Sequence, residues 1–351
     1  MKKALVLLAS ITVISAAMLT LSGCSGNAFF KALRNTTEEA AELPEGFSGI
    51  EIESDTADLT FVTSSKGKIE YTTHKKVTYS TKVEDGILKI KYEDNRRWFE
   101  KVFNFGDSSL AIYLPAGEYS SLSIKQDTGD INIPADYKFG SVDIDLSTGD
   151  TKFCASANES IKIHSSTGNI TLENASCGTL DTKVSTGNTH VVNVSVTDGV
   201  TISASTGDVS VNNVNCGGKF AVQTSSGKIS ASNITCSDMT ATVSSGDTNL
   251  TAIGCVNFAA TGNTGDIDMN ALIASGTIDI SRSTGDIYFD GCDAAEVYVV
   301  TDTGSVKGTL LTDKIFQVYT STGKINVPEC WEGGKCKITT STGDVKISIG
   351  E

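Results

Sequence analysis

The sequence predicts an all-β protein, a β-solenoid of about twelve 19–20-residue coils behind an atypical strand-rich N-terminal cap. Three observations predict it. A Thr/Ser-Gly corner recurs at Gly129, Gly149, Gly168, Gly187, Gly207, Gly227, Gly246, Gly265, Gly285, Gly304, Gly323 and Gly343, always 19 or 20 residues from the last. A period that tight is the signature of a repeat architecture. Apolar residues alternate on both sides of each corner, as in a strand with one buried face. Finally, 33 glycines stand against only 4 prolines in 351 residues, a composition with many turn formers and few strand breakers.

The corner at Thr206-Gly207 serves as the type. Val200 and Ile202 lie seven and five residues before it, and Val209 and Val211 two and four after. The next coil places Phe220, Val222, Ile229 and Ala231 there, and a later one Ile278, Ile280, Ile287 and Phe289. Inward positions are odd before the glycine and even after it. A straight strand cannot change parity, so the chain bends at the glycine, which tolerates the positive φ such a bend needs. Each repeat thus gives two short strands joined at a corner, with a return of about seven residues. Four or five inward apolar side chains cannot offset the ordering of a whole coil, at roughly 1–2 kcal/mol per residue for backbone alone. Stacking against neighbouring coils supplies the rest. Twelve coils at about 4.8 Å make a rod roughly 55 Å long. The leucine/asparagine pattern of leucine-rich repeats is absent, and a propeller blade is twice this period.

The chain before the repeats divides into three. Residues 1–23 read as a signal peptide: Lys2 and Lys3, an apolar run from Ala4 to Leu21, then Leu21-Ser22-Gly23-Cys24. That ending resembles a bacterial lipobox, in which the cysteine, here Cys24, is diacylated and becomes the mature N-terminus. The competing reading is a membrane-spanning anchor, since eighteen apolar residues nearly cross a bilayer. Two acyl chains hold firmly, at about 0.8 kcal/mol per buried methylene. The membrane, through the diacylglyceryl cysteine, is thus one expected partner, at the extracytoplasmic face of a bacterial cell membrane. Residues 24–44 read as a tether. Residues 45–121 form the expected cap, with strands around Ile50, Ile90 and Ile112 and a degenerate corner at Thr56-Ala57-Asp58. Residues 122–351 are the repeats.

Within the cap, Arg96, Arg97, Trp98, Phe99, Lys101 and Phe103 form a basic-aromatic insert. It reads either as a patch touching an anionic membrane or a partner, or, more plainly, as an aromatic plug over the end of the solenoid. Residues 66–101 carry ten basic and six acidic residues, whereas 129–351 carry 13 against 25. The whole chain is −14, a poor match for nucleic acid.

Chemistry-bearing residues are repeated by the period rather than clustered. Cys177, Cys216, Cys236 and Cys255 each sit nine after a corner glycine and read as an unbonded buried ladder, which implies an anaerobic or weakly oxidising habitat. Cys330 and Cys336 are candidates for a disulfide, bonded or free. No CxxC pair suggests zinc. The residue after the glycine is often Asp, as at Asp130, Asp150, Asp208 and Asp266, but Lys228 and Lys324 interrupt the row. A hydrogen bond to backbone is the simpler reading than calcium. His74, His164 and His190 lie in no nucleophile motif. No metal, cofactor or catalytic activity is expected.

The twelve corners, such as Asp127 to Ile131, Asn263 to Ile267 and Ser341 to Val345, resemble those of the bacterial putative-adhesin β-strand-repeat family. So does the lead-in through Ala111, Pro115, Tyr119, Leu122 and Ile124. The resemblance covers about residues 45–351. It implies a cell-surface binding protein, an adhesin or envelope scaffold with an unidentified surface ligand or envelope protein as partner. Some relatives are associated with envelope-stress signalling, which implies a sensor or regulator as the alternative. It carries no catalytic residues.

Overall fold

The structure, a computed structural model, describes residues 36–97 and 108–350. Cys24, the signal peptide, most of the tether, and Trp98, Phe99, Lys101 and Phe103 lie outside the described residues. The described residues form strands and turns without a helix, and all the strands belong to one hydrogen-bonded sheet wound into coils.

The inward positions read from the sequence are the core. In the Gly207 coil Val200, Ile202, Ala204, Val209 and Val211 are buried. Neighbouring coils pair in parallel with equivalent residues in register: Val200 lies between Leu180 and Phe220, and Val209 between Thr189 and Ile229. Each position therefore becomes a ladder along the rod.

Two constraints demand glycine at the corner. Eleven of the twelve have φ between 115° and 156°, Gly323 being the exception. A Cβ on any of the twelve would also lie about 2 Å from a backbone carbonyl of the adjacent corner; for Gly207 the atom is Gly187 O, at 2.0 Å. Backbones at the corner stack too closely for a side chain to turn inward between them.

The return of seven residues hides a second corner, six after the glycine. Asn174, Asn193, Asn213 and Asn233 adopt φ of 55–56° there, followed by Ala252, Ala271 and Gly291. Asparagine is among the few residues that tolerate this left-handed conformation. The bend reverses parity once more, so that residues seven and nine after the glycine turn inward. Val214 and Cys216 are both buried for this reason.

The degenerate corner is a true one. Ala57 N donates to Thr128 O and Leu59 N to Asp130 O, which places a thirteenth coil beneath the Gly129 coil. Its strands are β2 (Gly49–Thr56) and β3 (Asp58–Thr63), after β1 (Thr36–Glu42). The cap continues with β4 (Lys68–His74), β5 (Val77–Glu84), β6 (Ile87–Asp94), β7 (Ser109–Leu114) and β8 (Gly117–Thr128). β6 lies parallel on β2, and β7 parallel on β3. The stacking then turns antiparallel: β5 on β6, β4 on β7, and β1 on β4.

β1 corrects the tether. Thr36 to Glu42 pair residue by residue with His74 to Lys68, and Leu43 is buried. The outer edge of β4 would otherwise expose a row of unpaired backbone groups, and β1 satisfies them. Tyr71, Tyr79 and Tyr92 close over this end, with ring centroids 5.1 and 5.9 Å apart. Tyr79 Oη shares a hydrogen bond with Ser54, and burial pushes its phenol up to about 12.

The coils do not stack in sequence order at the other end. Gly304 N donates to Thr342 O, and Gly343 N to Thr322 O. The Gly343 coil is thus inserted between the Gly304 and Gly323 coils. The strand Gly334–Thr342 pairs with Ile287–Thr303 on one side and Lys314–Thr322 on the other. The chain overshoots by one coil, then returns through residues 327–333 to fill the gap.

Candidate functional site: the ladders of the rod surface

The Asp ladder at the corner is a structural element. Asp150 N donates to Asp130 Oδ1, Asn169 N to Asp150 Oδ1, Asn188 N to Asn169 Oδ1, and Asp208 N to Asn188 Oδ1, at 2.7–2.9 Å. Each side chain caps the amide of the next coil, so the hydrogen bond runs between turns rather than within one. Lys228 accepts this service from Asp208 but cannot return it, and the row restarts where Asp266 N donates to Asp247 Oδ1. Lys324 N donates to Asp344 Oδ1, at 2.8 Å. Because the Gly323 coil is outermost, Lys324 has no coil to serve. No grouping of three or more metal-ligating side chains occurs among the described residues.

The cysteine ladder is buried and unbonded. Burial pushes the thiols of Cys177 and Cys236 up to about 12 and that of Cys255 to about 11, and raises Cys216 as well. Such thiols stay protonated and inert at neutral pH. Cys330 and Cys336 are both free, which settles the alternative left open by the sequence. Cys336 is an inward core residue, whereas Cys330 belongs to the return segment and is partly exposed.

Two shallow grooves run along the rod. The first, of about 460 Å³, follows the second corner past Asn174, Asn193 and Asn213, with Ser156, Ser176 and Ser195 beside them. Asn193 Nδ2 donates to Asn174 Oδ1 at 3.0 Å, and Asn213 Nδ2 to Asn193 Oδ1 at 2.8 Å. The groove therefore presents uncharged amides and hydroxyls at coil spacing. The second, of about 280 Å³, gathers Lys125, Asp127, Asp145, His164 and Lys183. His164 Nε2 lies 3.4 Å from Asp181 and its Nδ1 3.8 Å from Asp145, so the imidazole sits between two partly exposed carboxylates. Sequence reasoning missed the asparagine groove. Its signal was present in apolar residues seven and nine after the glycine, such as Val194 and Val196, which require a second parity change.

Arg96 leaves the basic-aromatic patch. It is only 8% exposed, and its guanidinium donates to both carboxylate oxygens of Asp94, at 2.9 and 3.0 Å, and to Tyr92 Oη at 2.9 Å. It anchors the end of β6. Arg97 is exposed. The plug role falls, among the described residues, to the cap tyrosines.

Stacked corners, ladders and an antiparallel cap define a repeat solenoid with an extended surface. The chain belongs to the Toastrack DUF4097 family, which matches residues 47–233 and 217–351. Among solved structures it is similar to a putative adhesin from Bacteroides fragilis, with 13% identity over 89% of this chain and 97% of that one, at a TM-score of 0.29. It is also similar to a putative adhesin from Parabacteroides distasonis, at 11% identity, 89% and 96% coverage and a TM-score of 0.35. A putative lipid binding protein from the same species matches at 14% identity, 90% and 97% coverage and 0.33. No curated protein matches the sequence. Among the described residues, no helix is long and apolar enough to cross a membrane.

Proposed function

We propose that the protein is a lipid-anchored bacterial cell-surface binding protein, an adhesin or envelope scaffold that works without catalysis. The observation that carries this reading is the asparagine groove, where donors and acceptors repeat at coil spacing along several coils. Such a surface suits an extended, uncharged polar polymer better than a small molecule, which needs an enclosed pocket. The Cys24 motif supports attachment to the outer face of the membrane, with the rod held off it. The test is direct binding of the purified full chain to a panel of extracellular matrix proteins and glycans. Binding that is lost in Asn193→Asp/Asn213→Asp, where charge replaces amide, is the expected result. Absence of binding across the panel, with recovery of membrane stress regulators on cross-linking in cells, would replace this reading with the envelope-stress alternative.

A further inference from the structure

The outermost coil has a neighbour on one side only. Among the described residues its Lys314–Thr322 strand pairs solely with Gly334–Thr342. Phe316, Val318 and Thr320 occupy positions that are buried in mid-rod, yet here they are only partly buried, Phe316 and Val318 packing against the core from one side, and Ile325 is 48% exposed. The open edge is nine residues long. Its one charge, Lys314, is turned inward and fully buried against Asp293 at 2.7 Å. Exposed strand edges are normally guarded by charge, proline or shortness. β1, at the other end, carries Glu38, Glu39 and Glu42. The open edge has no proline and no outward charge, and Lys314 is neutralised by Asp293 within its own chain, so it does not guard the edge. The surrounding segment is also nearly neutral: residues 306–351 hold six lysines and five acids in a chain of −14. Two copies can approach there without the repulsion that the acidic flanks impose.

A lipid surface cannot satisfy a row of backbone amides and carbonyls; a strand can. We propose that the Lys314–Thr322 strand pairs antiparallel with the same strand of a second copy, joining two rods end to end about a twofold axis at Val318. Val318 then lies opposite its own counterpart, Phe316 opposite Thr320, and Gln317 opposite Tyr319 of the second copy. Even-numbered residues face inward on both strands, so the two open core ends close on one another. A slip of one residue would turn one core face outward. The contact is isologous and uses up the open edge of both copies, so it closes as a dimer rather than growing into a fibre, and the charges of β1 guard the other end.

The test is sedimentation of the full-length chain, in detergent where lipidated, alongside two double variants. Gln317 and Tyr319 point outward, so replacing them leaves the coil's core intact. In Gln317→Lys/Tyr319→Lys and in Gln317→Glu/Tyr319→Glu, like charges face each other across the axis. Each variant alone is expected to dimerise at least ~100-fold more weakly than the unmodified chain. Mixing the two is expected to restore dimers, since every Lys then faces a Glu. A chain that stays monomeric up to about 100 μM would overturn the proposal. So would a dimer that survives in both variants, or a mixture that fails to recover.

Discussion

The two ends of the rod solve the same problem in opposite ways. A stack of parallel coils ends in an exposed core and an unpaired strand edge at each terminus. At the N-terminal end the chain departs from the coil pattern, turns antiparallel through β4, β5 and β1, and packs Tyr71, Tyr79 and Tyr92 over the opening. At the C-terminal end it keeps the pattern, inserts the last coil inside the stack, and leaves the Gly323 coil outermost. The difference teaches that capping needs irregular sequence. A coil that obeys the period reproduces the edge it was meant to cover.

The largest expected effect separates order in sequence from order in space. Gly343 has φ of 152°, and a Cβ there would lie 2.0 Å from Gly304 O, inside the stack. Gly343→Val combines backbone strain with overpacking and should destabilise the C-terminal coils by about 4 kcal/mol. Gly323→Val meets a carbonyl too, but without left-handed φ, and its coil has open space beyond it. About 1–2 kcal/mol is expected for it, read as the difference in urea midpoints.

Truncations at the two caps should differ next. Tyr79→Ala removes an aromatic ring that is only 6% exposed and should cost about 3 kcal/mol, whereas Phe316→Ala, at a partly buried ring covered on one side only, should cost about 1 kcal/mol. Equal losses would mean that the C-terminal end is as well covered as the N-terminal one. Arg96→Ala leaves the nearly buried Asp94 carboxylate without its guanidinium, and a loss of about 3 kcal/mol is expected in the same unfolding measurement.

A smaller effect depends on pH. The ladder thiols have folded-state values near 11–12 against an ordinary value of 9.0, so the folded protein holds their protons more tightly. Their contribution is fully present below pH 9 and is lost as pH rises from there through 11–12. Unfolding midpoints should fall across that range, and Cys236→Ala/Cys255→Ala should flatten the slope. Below pH 9, an alkylating reagent should label partly exposed Cys330 first and reach the ladder only on unfolding.

Much of this was legible in the sequence because the fold is periodic. The corner glycines, the inward positions and the degenerate corner at Ala57 follow from spacing and parity alone. The second corner was equally legible, since Ile234 and Cys236 cannot face inward unless parity changes again after Gly227. Coil order was not, because every coil presents the same apolar pattern to either neighbour. The clues were local: Lys324, which cannot cap a following coil, and the aperiodic return carrying Pro328 and Gly333. β1 was hidden for another reason. Its Thr-Thr-Glu-Glu-Ala-Ala-Glu sequence has little strand preference, and the free edge of β4 imposes the conformation. Arg96 was misread because its partner, Asp94, becomes a bidentate acceptor only once the end of β6 is folded.

Hydrogen exchange across the C-terminal coils tests the central claim most directly. It is best measured on Gln317→Lys/Tyr319→Lys, so that no second copy protects the edge. Amides of Gly334–Thr342, last in sequence but flanked by strands on both sides, should exchange more slowly than those of Lys314–Thr322. Protection that declines steadily toward the C-terminus, with Lys314–Thr322 the slower of the two, would contradict the inserted coil and the open end it leaves.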